Sequence, residues 1–224
     1  MKKILILSLP GLGNSLLLTP VLKSLKENEK DCKITVLVMY KSCQEILEGN
    51  PYIDEIILFE FMKQGYLNSL IFMSKLRKKK FDVSILPHPS NRLQYNVINF
   101  LSGAKLRISH SYPYFNLRSL NFLNNKTLPL NYKHEIDENL DLLKLILPIN
   151  TNIADKRLIL SLSKEEENYA SNFFKQNKLN GLVIGIHAGS SNYSGMQHKR
   201  WPKEKFSELC NYLIKNYLTK FVKN

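Results

Sequence analysis

Lys3-Ile4-Leu5-Ile6-Leu7-Ser8-Leu9-Pro10-Gly11-Leu12-Gly13-Asn14-Ser15-Leu16-Leu17-Leu18-Thr19-Pro20 opens the chain and decides its fold. An apolar run, Ile4 to Leu7, breaks sharply at Pro10–Asn14, and an amphipathic stretch follows to about Leu25. This reads as buried strand, glycine turn, helix. In open α/β sheets ligands bind in the crevice at the carboxyl ends of the strands. Gly11 and Gly13 are therefore expected to take positive φ and to let a ligand approach the backbone closely. The N–H groups opening the next helix then favour an anion. The turn lacks the third glycine of a dinucleotide fingerprint, and no Lys-Ser or Lys-Thr pair follows as in a P-loop. An ordinary βα turn is the competing reading.

Outward from this segment, strand-like and helix-like stretches alternate. Ile34–Met39, Glu55–Phe59, Val83–Leu86 and Lys105–Ile108 read as strands, and Lys41–Leu47, Leu67–Lys79 and Asn91–Leu101 as helices. Such alternation predicts a parallel sheet with helices on both faces, joined by right-handed crossovers. From His110 to Lys133 the pattern dissolves into an irregular segment, and a helix resumes at His134–Leu147. Ser163-Lys164-Glu165-Glu166 fits a capping box before a helix to about Gln176. Leu182–His187 reads as a second buried strand, and Pro202 opens a last helix. The strand–glycine turn–helix device thus occurs twice, dividing the chain into 1–150 and 151–224. One βα unit cannot cover both faces of a sheet, so the second domain reads as incomplete.

The 224 residues carry 32 Lys and Arg against 19 Asp and Glu, a net charge of +13. Such a bias bears on partners: nucleic acid, an anionic membrane surface or phosphorylated small molecules. Cys32, Cys43 and Cys210 are scattered without C-x-x-C spacing, which argues against a zinc site or a disulfide framework and for a reducing compartment. Neither metal-ligand spacing of histidines nor a paired carboxylate cluster points to a metal. No apolar stretch approaches the ~20 residues that span a bilayer. A soluble cytoplasmic protein is expected.

Two segments could carry chemistry beside the first turn. His187-Ala188-Gly189-Ser190-Ser191 through Lys199-Arg200-Trp201-Pro202 gathers hydroxyls and cations that suit phosphate oxygens; a solvated loop is the plainer reading. Lys75, Arg77, Lys78, Lys79 and Lys80 form a basic run. It reads as a solvated helix end or as a contact with anionic lipid headgroups. Little aromatic interleaving accompanies it, so nucleic acid is not favoured as a partner.

Taken together, these segments resemble the lipopolysaccharide heptosyltransferases, glycosyltransferase family 9. The resemblance rests on Lys3–Pro20, Asn50-Pro51-Tyr52-Ile53-Asp54-Glu55-Ile56, Phe81–Ile85 with Ser102-Gly103-Ala104, and Gly185–Ser190 with Lys199-Arg200-Trp201-Pro202. It implies an α/β fold of the GT-B type, with a Rossmann-like N-terminal domain on the acceptor side and a second Rossmann-like domain, incomplete here, for the donor. It implies inverting transfer, with no metal or other cofactor, from a nucleotide-activated sugar such as ADP-heptose to a glycolipid acceptor. Ser190, Ser191 and Lys199 are implied to contact the donor, and Gly11 and Gly13 to shape the cleft. The family usually has an acidic base at position 14, where this chain has Asn14, whose amide cannot take a proton at neutral pH. Impaired transfer is therefore expected. A non-catalytic or phosphosugar-binding relative, and a basic nucleic-acid-binding protein, stay open as alternatives.

Overall fold

The computed structural model describes residues 1–113, 117–148, 155–190 and 196–217. The chain divides into two compact units, Met1–Ser161 and Leu162–Asn224. In the first, β1 (Lys2–Ser8), α1 (Leu12–Leu17), α2 (Thr19–Asn28), β2 (Cys32–Val38), α3 (Lys41–Leu47) and β3 (Glu55–Leu58) build one half. α4 (Phe61–Arg77), β4 (Val83–Leu86), α5 (Leu93–Leu101), β5 (Leu106–Ser111), β6 (Lys126–Pro129) and α6 (Glu135–Asp141) build the other. The six strands form one sheet in the order β3-β2-β1-β4-β5-β6, every pair parallel. Chain direction across the sheet reverses between β1 and β4, where Ile4 lies opposite Ile34 on one side and Val83 on the other. That reversal is the topological switch point, outside whose carboxyl edge such sheets bind ligands.

The central strands β1 and β2 are largely apolar because helices cover both faces. Successive side chains of β1 alternate. Ile4 and Ile6 join Ile34, Val36, Ile85, Leu22, Leu25 and Leu143 in one core. Leu5 and Leu7 join Leu37, Leu86, Met73 and Leu76 in the other. A one-residue slip would exchange the two sets, so register is held by both cores at once.

Three departures from the sequence reading follow from neighbours. The segment 110–133, read as irregular, contains β6, a short edge strand with Pro129 at its end. An edge strand needs no continuous apolar run and tolerates proline, which is why the pattern hid it. The helix expected over His134–Leu147 is α-helical only to Asp141 and tightens into a 3₁₀ turn at Leu142–Leu145. Leu182–His187 is not a strand, and its apolar side chains are exposed, Leu182 to 67% and Ile186 to 40%. A parallel strand must pair to satisfy its backbone, and the described residues of the second unit hold no strand for it to join.

The described residues of the second unit form α7 (Lys164–Gln176), a 3₁₀ turn at Met196–Lys199 and α8 (Lys203–Tyr217). Its capping box is formed as expected. Ser163 Oγ accepts from Glu166 N at 3.2 Å, and Glu166 Oε2 accepts from Ser163 N at 2.7 Å.

Candidate active site

The turn after β1 sits on the switch-point edge. Gly11 caps α1 with φ −74° and ψ −178°, and Gly13 lies inside that helix. Neither has the positive φ expected of it; among the described residues the glycines that do are Gly49, Gly65, Gly103 and Gly181. The dihedrals here suit any residue, so glycine is not required by the backbone. A Cβ added at Gly11 or Gly13 would meet nothing within 4 Å. What the glycines supply is a bare surface. Behind it, Ser8 Oγ and Ser15 Oγ share a buried 2.7 Å hydrogen bond that staples the strand end to the helix.

Asn14 projects from this turn to α6. Its Nδ2 donates to both carboxylate oxygens of Glu135, at 2.8 and 2.9 Å. Both side chains are half-buried. The other acids of α6 are otherwise engaged. Asp137 pairs with Lys156, and Asp141 with Lys133 and Lys144. Glu138, 1% exposed, accepts through Oε1 from the backbone N–H groups of Asn131 and Lys133 at 2.9 and 2.8 Å. Its Oε2 makes no hydrogen bond and lies 3.8 Å from His110 Nδ1, which makes none either.

Beside this pair, the ends of β4, β5 and β6 border a half-open cavity of about 380 Å³ lined by His88, Asn91, Tyr112, Tyr132, Lys133 and Glu138 among others. His88 Nδ1 and the Tyr112 hydroxyl share a 2.9 Å hydrogen bond, and Ser90 N donates to the same hydroxyl at 2.9 Å. The His88 backbone is clamped by Asn139. His88 N donates to Asn139 Oδ1 at 2.7 Å, and Asn139 Nδ2 donates to His88 O at 3.2 Å. Burial pushes His88 below the usual histidine range, although the Glu135 and Glu138 carboxylates pull the other way. Burial likewise lowers His110 and raises the Tyr112 phenol. At neutral pH the edge therefore presents a neutral imidazole and a protonated phenol, beside the side chains of Asn91 and Glu138. Such a set matches hydroxyl-rich ligands, and the volume falls in the range of small-molecule sites.

Among the expected donor contacts, Ser190 is held by Arg200, whose Nε donates to its Oγ at 2.9 Å and whose Nη2 donates to its carbonyl at 2.7 Å. Lys199 ends the 3₁₀ turn and is exposed. Ser191 lies outside the described residues. No group of three His, Cys, Asp or Glu that could hold a metal occurs among the described residues. No helix among them is long and apolar enough to cross a membrane.

Sequence reasoning missed Glu135, Tyr112 and Glu138. Glu135 and Asn14 are 121 residues apart, and no spacing rule spans that distance. The only local signal was an acidic first turn on α6, which also reads as a complement to the helix dipole.

The family profile of glycosyltransferase family 9 (heptosyltransferase) matches residues 70–219. No curated protein matches the chain. Among solved structures, a glycosyl transferase family 9 protein from Veillonella parvula DSM 2008 superposes with TM-score 0.74 at 24% identity, covering 96% of this chain and 60% of that one. E. coli ADP-heptose LPS heptosyltransferase II gives 0.66 at 20% identity, covering 96% and 62%. E. coli heptosyltransferase WaaC with ADP gives 0.63 at 14%, covering 96% and 64%. At these identities the likeness is one of fold, α/β of the GT-B type. The chain spans less than two thirds of each of these structures.

Proposed function

The chain belongs to glycosyltransferase family 9, and from that premise we propose that it serves transfer of a heptose or related sugar from an ADP-activated donor to a lipopolysaccharide-type glycolipid acceptor in the cytoplasm. The observation that carries this reading is the switch-point edge of the first unit. A cavity lined by two tyrosines, a neutral histidine and an asparagine lies there beside a half-buried carboxylate. Aromatic faces and fixed hydrogen-bond groups suit a sugar, and the carboxylate suits the proton that an attacking hydroxyl must lose. In this reading the first unit takes the acceptor, and the bare surface at Gly11 and Gly13 lets it approach. Ser190, Ser191 and Lys199 in the second unit meet the donor diphosphate, whose leaving oxygen gains negative charge. The described residues of that unit hold no sheet behind this loop. The 224 residues by themselves are accordingly expected to transfer slowly, because a donor held loosely loses the advantage of orientation.

A glycolipid acceptor brings the protein to a membrane surface. α4 turns Met62, Tyr66 and Leu67 outward, each more than 75% exposed, and leads into the basic run of Lys75, Arg77, Lys78, Lys79 and Lys80. Apolar side chains flanked by cations suit peripheral contact with anionic lipid.

Saturation-transfer NMR with ADP-heptose tests the donor assignment. Saturation should reach the nucleotide and fall on Lys199→Ala; an unchanged signal in that variant overturns the role of Lys199.

A further inference from the structure

The geometry points to Glu135 as the general base of the proposed transfer, with Asn14 as the residue that positions it. The assignment rests on the glycosyltransferase reading above. Three observations carry it. Glu135 stands on the carboxyl edge at the switch point, against the turn that follows β1. Both its oxygens are held by one neutral amide, at 2.8 and 2.9 Å, which fixes the plane of the carboxylate and leaves further lone pairs open. And it alone of the α6 acids has neither a lysine nor backbone N–H groups on it, among the described residues.

The contrast matters chemically. A carboxylate paired with an ammonium is stabilised in its charged form and is a weaker base for it. A neutral amide orients a carboxylate without pairing its charge. Asn14 cannot itself accept a proton, but it can hold the group that does. The chain therefore has a carboxylate at this edge although residue 14 is an amide.

In the step assigned to it, a Glu135 oxygen takes the proton of the acceptor hydroxyl as that O–H bond breaks. The freed electron pair forms the bond to the anomeric carbon of the donor. The bond from that carbon to the diphosphate oxygen breaks, and its electrons leave with the nucleoside diphosphate. Glu135 then returns its proton to water.

The test uses the full chain, radiolabelled ADP-heptose and a heptose-accepting glycolipid, with donor binding followed by NMR in the same samples. Glu135→Gln preserves shape and can still accept from Asn14, so it should fold. It should lower kcat about 10²–10⁴-fold with little change in KM, and abolish the acidic limb of the pH–rate profile. Glu135→Ala should regain part of its rate in sodium formate or azide, which a structural role would not produce. Absence of donor binding by the unsubstituted chain overturns the glycosyltransferase reading and this assignment together. Donor binding with no detectable transfer likewise overturns both, and transfer that Glu135→Gln lowers less than about tenfold overturns the assignment of Glu135 alone.

Discussion

Asn14→Asp restores the residue type that the family resemblance implies at this position, and the geometry predicts that it destabilises the protein at neutral and alkaline pH. Asn14 Nδ2 lies 2.8 and 2.9 Å from the two Glu135 oxygens. An aspartate there replaces a donor with an acceptor and sets two carboxylates face to face, with charge centres roughly 4 Å apart. Two unit charges at that distance repel by about 1 kcal/mol in water and about 4 kcal/mol near a protein surface. The pair is half-buried, so the repulsion falls between these limits. The lost hydrogen bond to a charged group adds about 1.5–3 kcal/mol. A loss of about 3–5 kcal/mol at pH 8 is expected, capped by the option of keeping one proton between the carboxyls. That option sets the sign with pH. In the folded variant the shared proton is held more tightly than in the unfolded chain. Stability is therefore fully present below the usual carboxylate range, near pH 4, and is lost as pH rises through the raised folded value. Urea melts followed by far-UV circular dichroism at pH 4.5 and pH 8 should give a loss below about 1 kcal/mol at the lower pH and the full loss at the higher. Equal losses at both pH values, or none at pH 8, would refute the placement of Asn14 against Glu135.

Burial holds His88 and His110 below the usual histidine value. The unfolded chain takes up protons that the folded state resists, so stability is fully present above about pH 6.5 and lost as pH falls through the depressed values. Melting temperature should fall between pH 6.5 and 5, and His88→Gln should flatten that slope; a slope unchanged by the substitution contradicts a half-buried neutral His88. Gly13→Ala adds a methyl group to empty space inside a helix and should stabilise by about 0.4–1 kcal/mol, raising the melting temperature by about 1–4 °C, while weakening any ligand that approaches this turn. A lower melting temperature would mean that Gly13 is needed by the fold. Leu67→Ser with Leu70→Ser, both exposed on α4, should reduce co-sedimentation with vesicles containing anionic phosphatidylglycerol and leave far-UV circular dichroism unchanged; undiminished binding rules out the α4 face as the lipid contact.

Much of the sheet was legible because its strands are buried on both faces. A parallel strand under two layers of helix reads as a short apolar run; Ile4–Leu7 is such a run, and Val83–Leu86 is one but for Ser84. The turn at Gly11–Gly13 was legible as the end of that first strand for the same reason, although neither glycine takes the positive φ expected of it. β6 was not legible, because an edge strand is covered only in part and leaves no apolar run. Leu182–His187 misled for the converse reason. Its composition is that of a buried strand, but composition cannot supply the neighbour whose backbone would pair with it.

What the sequence determined alone, then, is local: the alternation of strand and helix, the capping box at Ser163, the glycine turn, and the motifs that mark the family. These depend on residues within a few positions of one another, whose chemistry and period act without the rest of the chain. The tertiary structure decided the site. Asn14 meets Glu135 across 121 residues, and the cavity joins His88, Tyr112, Tyr132 and Glu138 from four separate segments. Only the strand order β3-β2-β1-β4-β5-β6 brings the ends of those segments to one edge. That order is chosen by the joint burial of two cores, a property of the whole sheet and of no segment in it.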